Sequence, residues 1–159
     1  WKKGRHLYGK DTRINLNVAR ELKSSDYVHA CRLKHRLSAH FYDAFKKCDV
    51  IVTPTSGITA PKINKDAIKY GENNLTLLQK IMRFAQPANL VGIPALTVPC
   101  GYDKDGLPVG VQLMGRPWEE ALLLRMGHVI ELKTVHNKPT HCHSIIVPSV
   151  SDPAHGSSK

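Results

Sequence analysis

Residues 89–118, NLVGIPALTVPCGYDKDGLPVGVQLMGRPW, set the tightest limits on what this chain can fold into. Five of the 11 glycines and four of the 10 prolines stand here among branched aliphatics that belong in a core. Proline lacks an N–H and glycine weakens any regular element, so a long helix is excluded and short, sharply ended strands remain. ALTVPC (95–100) and VGVQLM (109–114) read as those strands, and in the second Val109, Val111 and Leu113 alternate with Gly110, Gln112 and Met114. The polar connection GYDKDGLP, with Asp105 and Gly106 at its centre, suits a hairpin turn. We therefore expect two buried strands whose prolines mark their ends. The other reading is an active-site loop, but the stretch offers no nucleophile, base or metal cage. Asp103 and Asp105 read as solvated turn carboxylates rather than a catalytic pair.

Around this segment the periodicity is helical. Ile14, Val18 and Leu22 keep a four-residue step, and so do Leu33, Leu37, Phe41 and Phe45 in a second helix that Ser24 or Ser25 would cap. CDVIVTP (48–54) is a short strand closed by Pro54, and residues 55–74 carry turn formers without a period, which predicts an irregular loop. Leu77, Leu78, Ile81, Met82 and Ala85 give the next helix a broad apolar face, and Pro87 should break or kink it. A last helix is predicted to open with Pro117 in its first turn, to run to about residue 132, and to face the sheet with Leu122, Met126, Val129 and Ile130. Residues 133–159, rich in His, Ser and Pro, are expected to form a poorly ordered tail. The class is α/β with one domain portion over 1–132. Strands apolar on both faces need cover on each side, so the chain reads as one flank of a larger sheet. It opens on Trp1 without a signal-like segment, which leads us to expect a larger native unit.

Charge and cysteine narrow the function classes. The net charge is +10, but residues 1–47 hold 12 Lys/Arg against four Asp/Glu and the remainder is nearly balanced, 11 against nine. With few aromatics and no RNA-binding signature, this is a solvated basic helix face, and no nucleic-acid partner is expected. Cys31, Cys48, Cys100 and Cys142 form no CxxC pair and read as reduced, mostly buried thiols. His141, Cys142 and His143, near His136, lack a scaffold that would hold a metal, so no metal site is assigned. No apolar run approaches the roughly 20 residues that cross a bilayer. Ser56 is the primary hydroxyl of the TPTSG loop, yet no GxSxG elbow or neighbouring base activates it, and nucleotide-binding glycine motifs are missing. Ser56 reads as a turn hydroxyl.

DVIVTPT (49–55), ANLVGIPALTVPCG (88–101) and DGLPVGVQLMGRPWEEALLL (105–124) together resemble the C-terminal region of the amidase signature family, a resemblance that covers most of residues 5–132. DYVHACRLKHRL (26–37), TAP (59–61), MRF (82–84) and GYDKDGLPVG (101–110) are most similar to its plant fatty acid amide hydrolase branch. The resemblance implies a mixed, twisted β-sheet covered by helices, and hydrolysis of carboxamides by a serine acting with a second serine and a lysine, without a cofactor. Those three residues lie in segments that nothing in this sequence matches, so no catalytic residue is assigned and the chain alone is expected to be inactive. What the resemblance does carry over is substrate binding. Leu77, Leu78, Ile81, Met82 and Ala85 would line an acyl channel, and Thr53, Thr55, Ser56 and Gly57 would lie near the substrate with hydroxyl and backbone donors. The bland alternative for the apolar set is an ordinary core helix.

Two further readings stand beside this one. The amidotransferase A-subunit pattern has an acidic residue near where Met82 stands, and a truncated product acting only by association would need no catalysis. The complete enzyme would take a small lipid amide, with a homodimer open, in the cytoplasm or peripheral on an internal membrane. Residues 140–159 depart from the family pattern.

Overall fold

Strand alternation in VGVQLM divides the core into two, one on each face of a three-stranded antiparallel sheet. The computed structural model describes residues 4–72 and 74–134. In chain order the elements are α1 (Lys10–Arg20), α2 (Ser24–Phe45), β1 (Val50–Pro54), α3 (Ala67–Tyr70), α4 (Leu75–Met82), α5 (Ala85–Val91), β2 (Ala95–Tyr102), β3 (Pro108–Gly115) and α6 (Glu120–Lys133). The strand order is β1-β3-β2. Thr53 pairs with Gln112 and Ile51 with Met114 on one side, and Val98 pairs with Val111 on the other.

Met114 packs with Ile93, Ala88 and Val91 of α5 and Phe45 of α2, beneath Leu37, Phe41 and Ile51. On the opposite face Leu113, 0% exposed, meets Val98 and Leu123 of α6, flanked by Val50, Leu96, Val111, Met126 and Ile130. Cover comes from α2 with α5 on one face and, over β2 and β3, from α6 on the other, while Val52 of β1 stays 57% exposed. Arg116, just past β3, ties the layers together: Nη2 donates to the carbonyls of Phe45 (2.6 Å) and Cys48 (3.1 Å), and Nη1 to Asp49 (3.1 Å) and Glu119 (3.3 Å). A guanidinium is well suited to the unpaired carbonyls that end α2.

Several expectations change. Pro99 lies inside β2, where a bulge at Pro99/Gly101 absorbs it on an edge strand, so not every proline marks an end; among the strands β3 holds the buried run while much of β2 is exposed. Pro87 does not break the helix. The interruption falls at Arg83–Phe84, and Pro87 occupies the first turn of α5, where its missing N–H has no intrahelical partner to lose. That helix ends at Gly92 in the left-handed conformation, φ 83°. Pro117 precedes α6, which starts at Glu120, and the sheet-facing residues are Leu123 and Gly127 with Met126 and Ile130, leaving Val129 exposed. Gly127 decides this rotation, because a Cβ there would stand 2.5 Å from Leu96 Cδ2.

At the start of α2 the closing contact is Lys23 N–H to the Asp26 carboxylate (2.8 Å) rather than a serine cap. The loop after β1 contains one helical turn, α3, held to α1 by Glu72 N donating to Asp11 Oδ1 (2.7 Å) and Lys10 Nζ to the Lys69 carbonyl (2.7 Å). Cys31, Cys48 and Cys100 are free but exposed, contrary to the buried thiols expected. Cys142, the His141–His143 cluster and residues 135–159 of the expected tail lie outside the described residues. Among the described residues no helix is long and apolar enough to cross a membrane.

Candidate functional site

The loop that leaves β1 is built by the strand's own ladder. Thr53 and Pro54 pair with Gln112 and Val111, and Thr55 N–H extends the pairing to the Gly110 carbonyl (3.0 Å) before the chain turns away. Ser56 Oγ closes that turn by donating to the Ile58 carbonyl, 2.6 Å. Its hydroxyl therefore serves a turn, in line with the sequence reading, and donates to a carbonyl rather than to a base. Gly57 N–H donates to the Lys80 carbonyl (3.1 Å) at the end of α4. A Cβ on Gly57 would collide with that carbonyl, so the close approach of loop and helix demands glycine.

Gln112 makes the second link between loop and helix. It is the buried polar side chain among the described residues, 5% exposed, and its Nε2 donates to Thr53 Oγ1 (3.1 Å) and to the Phe84 carbonyl (3.0 Å). The Phe84 carbonyl can only accept, so the amide nitrogen must face it. That bond occupies a carbonyl released by the break between α4 and α5. Gly110 leaves room for the Thr55 hydroxyl, which stands 3.5 Å from Thr97 Oγ1. The hairpin joins the same wall. Asp103 accepts from Leu107 N–H and Asp105 N–H, each at 2.9 Å, and Leu107 N–H, then the Thr59 hydroxyl, holds its carboxyl below the usual carboxylate range.

Two hollows result. The first, of about 390 Å³, lies between the loop and the hairpin, with Ser56, Gly57, Ile58, Phe84 and Val109 in its lining. The second, of about 240 Å³, is lined by Leu77, Leu78 and Ile81 of α4, with Asn15, Glu72 and Asn74 on its polar side. Ser56 and Gly57 thus line the first hollow and Leu77, Leu78 and Ile81 the second, while Thr53, Thr55, Met82 and Ala85 belong to neither lining. No residue of α4 is buried; Leu77, Ile81 and Met82 are half-buried and Leu78 is 46% exposed, while Ala85, expected on the same helix face, falls beyond the break as the half-buried first residue of α5. A core helix that packs against residues beyond this chain would show the same partial cover. Sequence reasoning misses Phe84, Val109 and Gln112. The signal for Gln112 is present as a polar residue on the inward face of an otherwise apolar strand. The arrangement offers shape, apolar surface and a few fixed donors.

Comparison with known proteins agrees with the geometry. Residues 6–124 match the family described as Amidase. The chain is 47% identical over 137 residues to a fatty acid amide hydrolase of Arabidopsis thaliana, covering 86% of this chain and 23% of the relative. It is 41% identical over 108 residues to the A-subunit of a glutamyl-tRNA(Gln) amidotransferase from Neisseria meningitidis, covering 68% of this chain and 21% of that protein. The chain therefore spans about a quarter or less of these relatives' length. A solved amidase superposes with a TM-score of 0.70 at 22% identity, covering 84% of this chain and 31% of that one, which supports the fold. The glutamyl-tRNA(Gln) amidotransferase A-subunit of Thermotoga maritima gives 0.54 at 31% identity, covering 82% and 28%. With its motifs, its helix-covered sheet and this match over most of its length, the chain belongs to the amidase family.

Proposed function

We propose that the chain supplies scaffold and one apolar wall of a site that hydrolyses carboxamides of the fatty acid amide type, N-acylethanolamines among them. The observation that carries this reading is the apolar face of α4. Leu77, Leu78, Ile81 and Met82, with Ala85 at the start of α5, are left without full cover in a chain 47% identical over 137 residues to a plant fatty acid amide hydrolase. Each methylene that such a wall removes from water contributes about 0.8 kcal/mol, so an acyl chain gains most from it. The TPTSG loop contributes position: Thr53 and Gly57 are anchored to Gln112 and Lys80, which holds the Ser56 turn at the mouth of the first hollow.

The serine, second serine and lysine of the family have no counterpart in these 159 residues, and the Ser56 hydroxyl is engaged by Ile58. The purified chain is expected to leave an N-acylethanolamine intact, and measurable turnover by it would overturn this reading. An amidotransferase A-subunit function is the second reading, supported by the Neisseria likeness. Met82, half-buried and uncharged, favours an uncharged substrate, because a substrate amino group held there would lack a carboxylate partner. In the complete enzyme Met82→Asp should depress hydrolysis of long acyl amides; unchanged rates would count against the acyl-channel assignment.

A further inference from the structure

α6 carries apolar side chains on two sides, and the sheet uses one of them, where Leu123 and Gly127 are buried. Beside that contact Leu122, Met126, Val129 and Ile130, at steps of four, three and one residues, form a seam along the helix. They line an open groove of about 460 Å³, with the exposed Arg125 at its edge. Val129 is 58% exposed, and Arg125 forms no ion pair among the described residues. The groove is an apolar surface with one unpaired cation beside it. A second copy of this chain fits it badly. A two-fold pairing centred on Met126 would set Arg125 beside the same residue of the other copy, and like charges so placed oppose association.

We propose that residues 144–152, SIIVPSVSD, fold back along α6, seat Ile145, Val147 and Val150 in this groove and bring the Asp152 carboxylate to Arg125. This segment lies outside the described residues, and composition, reach and charge single it out as the occupant. Ile145, Ile146, Val147 and Val150 make an apolar run in a stretch otherwise rich in His, Ser and Pro, and Pro148 disfavours a helix there. Residues 135–144 can span up to about 34 Å, twice the roughly 17 Å of helix from Lys133 back to Leu122, and Asn137 and Pro139 suit the reversal. Extended chain from Ile145 to Val150 then covers about 16 Å, against about 12 Å of helix from Ile130 to Leu122. Val150 thereby meets the Leu122 end. Asp152, the single acidic residue of 135–159, follows it by two positions and supplies the carboxylate that Arg125 lacks. The inference depends on neither the substrate reading nor family membership, because residues 140–159 depart from the family pattern.

The test records methyl NMR spectra of the full chain with labelled Ile, Leu and Val. Cross-peaks are expected from the methyls of Val147 and Val150 to those of Val129 and Leu122, at intensities independent of protein concentration. In a chain ended after Thr134, hydrogen exchange at the amides of residues 126–130 should quicken at least tenfold. Arg125→Glu should reduce the Val150 to Leu122 cross-peak at least threefold, and Asp152→Arg in the same chain should restore it. The cross-peaks come from the unaltered chain and stand even if the shortened form misfolds. Their absence, exchange unchanged by the shortening, or contacts that appear only as concentration rises, which would place a second copy's segment in the groove, would each overturn the inference. A cross-peak indifferent to Arg125→Glu would overturn the pairing of Asp152 with Arg125.

Discussion

Replacing Gln112 with Met deletes the bond that joins β3 to Thr53 of β1 and the bond that joins β3 to the α4–α5 break, while keeping the side chain long and close in volume. Gln112 is 5% exposed and donates from one nitrogen to Thr53 Oγ1 and the Phe84 carbonyl. Two neutral hydrogen bonds contribute about 1 kcal/mol each, and the Phe84 carbonyl, left without its donor, costs about 1–3 kcal/mol. Apolar burial of the methionine offsets part of this, giving a net loss of about 2–3 kcal/mol. The folded fraction ratio then falls roughly 30- to 150-fold, and with a urea slope of about 2 kcal/mol/M the midpoint drops by about 1 M. Gln112→Glu sharpens the test, because a carboxylate there faces a carbonyl that can only accept. Burial raises such a group's folded pKa above about 4.3, so the variant keeps its stability below that pH and loses it as pH rises through the folded value. Urea titrations at pH 7 and near pH 4 should therefore show the Glu variant below the Met variant at neutrality and approaching it in acid. Coincident midpoints for wild type and Gln112→Met, with equal slopes, would refute the idea that these bonds set the position of α4.

Three other outcomes follow from the same packing. Leu113→Ala, at the 0% exposed centre of the α6-side core, should cost about 3–5 kcal/mol in denaturant unfolding, and a loss below 1 kcal/mol would mean that α6 does not seal that face. Gly127→Ala gains up to about 1 kcal/mol of helix propensity but pushes a methyl against Leu96 Cδ2 (2.5 Å) and Val98 Cγ2 (3.2 Å); thermal melts should show a net loss of about 1 kcal/mol, and stabilisation would contradict the close contact of helix and strand. Asp103, whose carboxyl the Leu107 N–H holds below the usual range, contributes stability above the unfolded pKa of about 3.9 that is lost as pH falls through the depressed folded value. Asp103→Asn should therefore flatten the acid limb of the melting temperature measured from pH 7 to pH 2.5, and an unchanged limb would assign it elsewhere.

Local chemistry makes the hairpin legible from the residues themselves. Asp103, Asp105 and Gly106 are turn formers for reasons that act within four residues, and the alternation of VGVQLM is a property of the strand itself. Pro87 and Pro117 mislead because a proline signals a missing donor and a restricted neighbour, and both are tolerated inside a first helical turn as well as at a helix end. Which side of such a boundary each occupies depends on tertiary packing. The rotation of α6 is illegible for a related reason: apolar residues surround much of that helix, and the sheet selects the side where Gly127 permits the closest approach. The exposed cysteines mislead because thiol burial is a tendency of the residue type, whereas here Cys31, Cys48 and Cys100 fall on surfaces that this chain leaves uncovered.

The candidate site is legible as a set of residues and not as one surface. Thr53, Thr55, Ser56 and Gly57 are neighbours in sequence, but Ser56 and Gly57 line the first hollow, Leu77, Leu78 and Ile81 line a second, and the Gly57–Lys80 contact joins loop to helix. That contact exists because Gly57 has no side chain. The same glycine that lets the loop touch α4 thereby separates the polar turn from the apolar wall. A ligand with an amide at Ser56 and an acyl chain along α4 would have to pass the clasp or travel around it. Phe84 lines the hollow that Ser56 and Gly57 share, and Leu77 lines the other.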